Sequence, residues 1–290
     1  MKRFISIVLL LLLLFPLFAE AKYLRFSLVQ SGEHPHAKAS EYFARMVTRA
    51  TNGEINIKLY TSSLTGSASK NIEQLEFGGI QLALVDLEAV AKSIPEIKEI
   101  VDRYNFSSRE EAYQDFLDNK AQVEEILKEN GITLLSVFYP KLNCFYSPLK
   151  KVGSEEVIKH LIIGVGEDSY YSFFLSSYGL ETKVVAEKDM IMALNNLYID
   201  AAFGPFIDFC LSNRYAFTKN LSITETGALP SLLVINSKVL SLLKGEEREL
   251  LKEAANKASF YADSLLKRSE ESWISRAQGE KEFAALEIER

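Results

Sequence analysis

Histidine and cysteine are scarce in this chain, with three and two copies in 290 residues, and that scarcity excludes a good deal of chemistry. Cys144 and Cys210 fit no zinc-finger spacing. A disulfide between them would need suitable Cα spacing, and a pair of buried thiols is an equal reading. No glycine-x-serine-x-glycine elbow occurs, so a hydrolytic triad would have to draw on His34, His36 or His160. Basic tracts and interleaved basic–aromatic faces are also missing. With 33 Lys and Arg against 39 Asp and Glu the formal charge is −6, which argues against nucleic acid or anionic lipid as a partner. After the first 21 residues no run is long or apolar enough to span a bilayer.

A third glycine is absent where a nucleotide site would need one. In KHLIIGVGEDS, Gly164 and Gly166 follow an apolar run, but the next fingerprint position is Ser169, so the dinucleotide motif fails. A glycine pair after a strand marks a tight turn or a close approach to the backbone. Paired carboxylates such as Asp86 and Glu88 offer an acid and a base on paper, yet surface solvation explains most such pairs. His34 and His36, with Glu33, suggest a zinc or copper site, but no third imidazole lies near in sequence. Little supports an enzyme, and nothing calls for a cofactor.

What is present begins with MKRFISIVLLLLLLFPLFAEA. Lys2 and Arg3 precede an apolar run too short for a membrane anchor, and Ala19-Glu20-Ala21 supplies the small residues of a cleavage site. A signal peptide of residues 1–21, cut after Ala21, is therefore expected, and no cysteine follows to carry a lipid. Its removal takes two bases and one acid and moves the charge from −6 to −7.

The remaining chain alternates strand and helix patterns. Tyr23 to Gln30, Ile55 to Tyr60 and Ile80 to Val85 read as strands, separated by helical spacing at Ala37 to Ala50 and Ala68 to Phe77. Glu110 to Asn130 is an amphipathic helix closed by Gly131, followed by extended segments at Ile132 to Phe138 and Leu142 to Tyr146. The alternation restarts near residue 145, with strands at Leu161 to Val165, Glu181 to Val185 and Ala201 to Phe203, and helices at Ser169 to Tyr178 and Asp189 to Asn195. Ser231 to Ile235 is one more strand. From Ser237 onward the chain is helix-forming without sustained heptads, so a helix lying along the body is expected rather than a coiled coil. Such alternation implies an α/β fold with a mostly parallel sheet. Aromatic residues collect where loops leave strands: Tyr139, Phe145, Tyr146, Tyr170, Tyr171, Phe203, Phe206 and Phe209. Ligands of open α/β sheets sit at those ends, although about half of such residues are expected to be core.

The order of segments resembles the extracytoplasmic solute-binding proteins of TRAP transporters, the dicarboxylate-type family. The resemblance rests on His34-Pro35 before the first helix, Gly53 to Ile57 leading to Leu64-Thr65-Gly66, and Leu197 to Ala201 running to Gly204-Pro205. It implies a two-lobed periplasmic-binding-protein fold, with mixed sheets joined by crossing strands and long C-terminal helices. The lobes would be residues 22–143, completed by about 225–245, and residues 144–224, with residues 246–290 packing along both. It also implies a periplasmic, non-enzymatic protein that closes over a small molecule and delivers it to a TRAP-type membrane permease. An accessory periplasmic helical-repeat protein occurs in some such systems.

The resemblance also exposes two departures. The family's carboxylate-binding arginine falls on Gly164, and its asparagine before proline falls on Gly204. Near a second family arginine only Lys141 is basic, and a lysine there more often snorkels to solvent. Arginine is the side chain best suited to bidentate carboxylate binding. Its loss leads us to expect a roomier, more apolar cleft for a hydrophobic or weakly polar solute. Expected lining residues are Glu33, His34, Asp86, Tyr139, Asn143, Phe145, Gly164, Tyr170, Phe203 and Gly204. The rival readings are a periplasmic receptor that binds another protein, and a metal carrier using His34 and His36.

Overall fold

A computed structural model describes residues 21–102, 108–167, 170–279 and 287–289. The expected signal peptide and cleavage site fall on residues 1–21, nearly all outside the described residues. The first part of the chain forms β1 (Lys22–Leu28), α1 (Pro35–Ala50), β2 (Ile55–Tyr60), α2 (Ala68–Glu76), β3 (Leu82–Asp86), α3 (Leu87–Ser93), α4 (Pro95–Val101), α5 (Arg109–Glu129) and β4 (Ile132–Phe138). The middle forms β5 (Asn143–Ser147), α6 (Glu155–Ile158), β6 (Ile162–Val165), α7 (Tyr171–Ser177), β7 (Glu181–Val184), α8 (Met190–Asn195), β8 (Ala201–Pro205), α9 (Phe206–Leu211) and β9 (Asn220–Thr224). The chain then returns through β10 (Ser231–Asn236), α10 (Ser237–Leu242), α11 (Gly245–Gly279) and β11 (Glu287–Glu289).

These strands build two sheets, ordered β2-β1-β3-β10-β4 and β11-β9-β5-β8-β6-β7. Helical crossovers make β1 parallel to β2 and β3, and β6 parallel to β7 and β8. Where the chain passes between sheets without a helical crossover the pairing reverses: β10 is antiparallel to β3 and β4, and β5 to β8 and β9. Both sheets are therefore mixed rather than mostly parallel. Two segments without a helix cross between them, 138–143 and 224–231, and the chain passes a third time from β10 by way of α11 to β11.

Helices cover both faces of the first sheet, which is why β10 reads as an unbroken apolar run. Leu232 and Val234 face one core while Leu233 and Ile235 face the other. The second sheet is covered in the same way, with Cys144, Tyr146 and Ala202 on one side and Phe145, Ile163 and Phe203 on the other. The 35 residues of α11 make a rod about 52 Å long at about 1.5 Å per residue. Ala254, Ala255, Ala258 and Ala262 let it lie close in the first core, and Trp273 and Ile274 pack on the second. Sequence periodicity missed the short helices α3, α4 and α9 and the strand β9. The helices are shorter than the window of about 11–18 residues in which a helical period stands out, and β9 is only five residues long.

Candidate functional site

β1 and β3 end at Leu28 and Asp86, and β6 and β8 end at Val165 and Pro205. These carboxyl ends face one another across the seam between the sheets, and the lobes touch there. Lys92 Nζ donates to the Glu167 carbonyl at 2.6 Å, Tyr170 Oη donates to the Val101 carbonyl at 3.3 Å, and the Lys98 ammonium sits 4.4 Å from the Phe173 ring centroid.

The first group at this seam is the start of α1. His34 is its N-cap, with Pro35 at the first helical position, and Nδ1 of His34 accepts the His36 amide proton at 3.0 Å. A neutral imidazole that accepts at Nδ1 must carry its proton at Nε2. That Nε2 is buried, has no hydrogen-bond partner, and lies 3.7 Å from Asp208 Oδ1. Burial, with the Lys141 charge in support, lowers the His34 pKa to about 3, against a smaller opposing pull from Asp86. Burial also holds His36 well below the usual imidazole range, so both rings are neutral.

The second group surrounds a buried lysine. Lys141, 3% exposed, donates to both carboxylate oxygens of Asp86 at 2.7 Å each. Ser231 Oγ donates its proton to Asp86 Oδ1 and lies 3.5 Å from His36 Nδ1. Because that hydroxyl proton is committed, Nδ1 of His36 is the donor, and its partnerless Nε2 is a bare acceptor. Burial pushes the Asp86 carboxyl up, but the Lys141 charge and hydrogen bonds more than offset this and hold it below the usual range. Burial likewise opposes the Lys141 charge, and Asp86, Asp208 and Glu88 together keep its pKa raised.

Glu88, in the first turn of α3, is buried, and its Oε2 has no partner. Burial, with repulsion from Asp86, pushes its pKa up to about 8 against the pull of Lys141. Asp208 on α9 belongs to the other lobe. Its side chain keeps 40% exposure, and partial burial and the Asp86 charge raise its pKa. Tyr171 Oη donates to Asn143 Oδ1 at 2.9 Å, and Asn143 Nδ2 donates to the Thr226 carbonyl at 3.0 Å, tying α7 to both crossing segments.

Three of the residues expected from the sequence, His34, Asp86 and Asn143, meet in this polar cluster, and Tyr170 lies on the adjoining seam. The rest stand elsewhere. Glu33 is an exposed partner of Lys38. Tyr139 donates to Glu110 and stacks near Arg109 beside the crossing segment. Phe145 and Phe203 are core, 4.5 Å apart and behind Tyr171. Gly204 has open space where a Cβ would be. At Gly164 a Cβ would run into Ile199 Cδ1 and lie 3.0 Å from Met190 Sδ. The missing side chain leaves room for these two residues of the second core. Lys141 does not snorkel, because Asp86 gives its charge a buried partner. The side chains that meet at the seam are largely polar, which gives the expected apolar cleft no support.

The expected lining set left out His36, Glu88, Lys141 and Tyr171, which the sequence reading weighed in other roles, and Asp208 and Ser231 were missed altogether. One signal was available, since Asp86, Glu88 and Asp208 all sit just where an apolar strand stops. Among the described residues no group of three or more His, Cys, Asp or Glu is placed to hold a metal ion. Cys144 and Cys210 are both free and buried.

A family model described as DctP, bacterial extracellular solute-binding protein, family 7, matches residues 26–289. A solute-binding protein of Chromohalobacter salexigens is 23% identical over 228 residues, covering 78% of this chain and 68% of that protein. The fold is similar to a TRAP periplasmic solute-binding protein from Sulfitobacter sp. NAS-14.1 solved with β-D-galacturonate, with TM-score 0.81, 19% identity, and 92% and 88% of the two chains covered. It is also similar to one from Sulfurospirillum deleyianum solved with succinate, with TM-score 0.80, 17% identity, and 93% and 88% covered.

Proposed function

The chain belongs to bacterial extracellular solute-binding protein family 7, and from that premise we propose that it is the exported binding component of a TRAP-type transporter. In this role it captures a small polar solute between its two lobes and hands it to a membrane permease. The lobes divide at the crossing segments near residues 143 and 224, with residues 225–245 completing the first and the C-terminal helix lying along both.

One observation carries this reading. His34 Nε2, His36 Nε2 and Glu88 Oε2 are buried at the seam between the lobes without hydrogen-bond partners. Buried polar atoms left unpaired cost free energy, which a solute with matching donors and acceptors would recover. A solute that satisfies groups on both lobes binds the closed form better than the open one and so shifts the equilibrium between them. The same atoms argue against the hydrophobic solute expected from the sequence, because an apolar molecule would leave them unsatisfied. The polar acids bound in the Sulfitobacter and Sulfurospirillum proteins agree with a polar solute here.

The test is native mass spectrometry of gently purified protein, followed by melting curves against a library of small polar metabolites. A co-purifying small molecule, or a library member that raises the melting temperature, supports the reading. A stoichiometric protein companion with no small-molecule response refutes it in favour of a receptor role.

A further inference from the structure

We propose that Arg109 is shared between two carboxylates, Glu270 when the lobes are closed and Glu225 when they are open, and that this choice sets the balance between the two forms. The inference rests on the solute-binding reading above and concerns what the solute must work against.

Arg109 opens α5 and so moves with the first lobe. All three passages between the sheets reach it. In the first crossing the Pro140 carbonyl accepts from Nη1 at 3.2 Å, and the Tyr139 ring centroid lies 5.4 Å from the guanidinium carbon. In the second crossing Glu225 Oε2 accepts from the Arg109 amide at 3.0 Å. On α11, Glu270 Oε2 accepts from Nη1 at 2.7 Å, and its Oε1 accepts the Leu142 amide proton of the first crossing at 2.9 Å. Glu270 lies between Ala262, in the first core, and Trp273, on the second, which is where the long helix leaves one lobe for the other. Glu110 and Lys267, also at this corner, engage the Tyr139 side chain instead.

One donor is left over. Arg109 Nε is buried and has no hydrogen-bond partner among the described residues, and Glu225 Oε1 stands 3.9 Å from it, beyond hydrogen-bond reach. Leaving a buried guanidinium nitrogen unpaired costs free energy. With the lobes in contact, Arg109 therefore holds Glu270 and forgoes a second bond to Glu225. The two carboxylates stand on different passages, so a rotation of the second lobe about the crossings shifts them unequally against Arg109. An approach of about 1 Å by Glu225 completes its pair with Nε, and the guanidinium then turns away from Glu270. Two discrete pairings make the corner bistable rather than continuously deformable. The unpaired Nε draws the empty protein toward opening, and the contacts of a solute with both lobes tip the balance back.

Pulsed electron–electron double resonance on the full chain, dialysed free of solute, tests this. Nitroxide labels at Glu73→Cys on α2 and Asn195→Cys on α8, both exposed, report the distance between lobes, and the buried Cys144 and Cys210 stay unlabelled. The parent should show two distances. Glu225→Gln keeps an acceptor for the Arg109 amide but weakens the charged pairing with Nε, and should raise the ratio of closed to open about fivefold or more. Glu270→Gln keeps an acceptor for the Leu142 amide but weakens the pairing with Nη1, and should move the ratio toward open by a similar factor. General loosening would broaden both distributions alike, whereas opposite shifts identify a shared arginine. Shifts of the same sign, the absence of either shift, or a single distance in the parent overturns the inference. None of these results touches the solute-binding reading, because the measurement uses no solute; that reading stands or falls on the co-purifying molecule and the melting curves above.

Discussion

Replacing Lys141 by methionine removes the cation at the centre of the polar cluster and leaves the Asp86 carboxylate with the Ser231 hydroxyl as its remaining side-chain hydrogen-bond donor among the described residues. The lysine is 3% exposed and the aspartate side chain 16%, so little solvent is available to take over its role. Breaking a buried pair from one side costs about 3–5 kcal/mol, and the residual exposure of Asp86 favours the lower end. At roughly 2–4 °C per kcal/mol for a chain of this size, a loss of 3 kcal/mol lowers the melting temperature by roughly 6–12 °C. Replacing both partners, Lys141→Met with Asp86→Leu, removes the stranded charge and should recover most of that loss, because apolar substitutes for a whole buried pair are often neutral. The pH dependence provides a second signature. In the parent protein Asp86 has a depressed pKa, so its stabilisation is full above the unfolded value near 4 and disappears as pH falls through the folded value. Without Lys141, burial alone raises the Asp86 pKa, and the sign reverses: the deficit of the single variant is largest at neutral pH and shrinks as pH falls toward 4. Thermal unfolding followed by circular dichroism at pH 4.5 and 7.5 measures both effects. A single variant melting within about 2 °C of the parent at pH 7.5 would refute the buried pairing. A double variant no better than the single one would do the same.

The other expectations use the same assay. Glu88→Gln should stabilise the protein more at pH 8 than at pH 5: the buried acid titrates near 8 when folded and near 4.5 when unfolded, so folding is penalised increasingly as pH rises between those values. His34 and His36 stay neutral when folded, so stability should fall as pH drops below about 6.5, by up to about 1.4 kcal/mol per pH unit for each ring; His34→Gln should reduce that slope, and an unchanged slope would contradict its burial. Gly164→Ala should cost about 1 kcal/mol, because the atoms it meets, Ile199 Cδ1 and Met190 Sδ, end flexible side chains that can shift, and Ile199→Val should relieve it; a loss above about 3 kcal/mol that Ile199→Val leaves unchanged would refute crowding by those two side chains. Glu270→Gln loosens the tie in which Glu270 accepts from Arg109 at 2.7 Å and from the Leu142 amide at 2.9 Å beside the first crossing. It should destabilise the protein by about 1–3 kcal/mol, since a charge-assisted bond is weakened at a buried site.

Part of this protein could be read from its residues in order. The periodicity of Ala37 to Ala50 and the glycine after Asn130 gave α1 and the end of α5, because capping and amphipathic spacing are local. Gly131 takes φ +72°, as the end of a helix requires. The stretch from residue 87 to 101 was not legible as α3 and α4: α3 is buried on most sides and shows little polar–apolar alternation, and in α4 the spacing of Ile97, Ile100 and Val101 is helical but spans only seven residues, fewer than the window of about 11–18 in which a helical period stands out. Within the site, His34, Asp86 and Asn143 were found because they follow or begin strands in a recognisable order. Glu33 and Tyr139 shared that signal, and their side chains turn elsewhere.

The order of residues settled most of the longer strands and helices and showed that no arginine stands in the expected slot, while the two-lobed α/β fold came from the resemblance that the order of segments carries. What fills that slot, and where the lone lysine points, depended on contacts between segments far apart in the chain. Asp86 lies 55 positions from Lys141 and 145 from Ser231, and Asp208 meets His34 only because the two sheets close on each other. Burial and pairing of charge are properties of that assembled seam. A local pattern cannot encode them, since the free energy of each ionised group depends on neighbours that only the folded chain brings near.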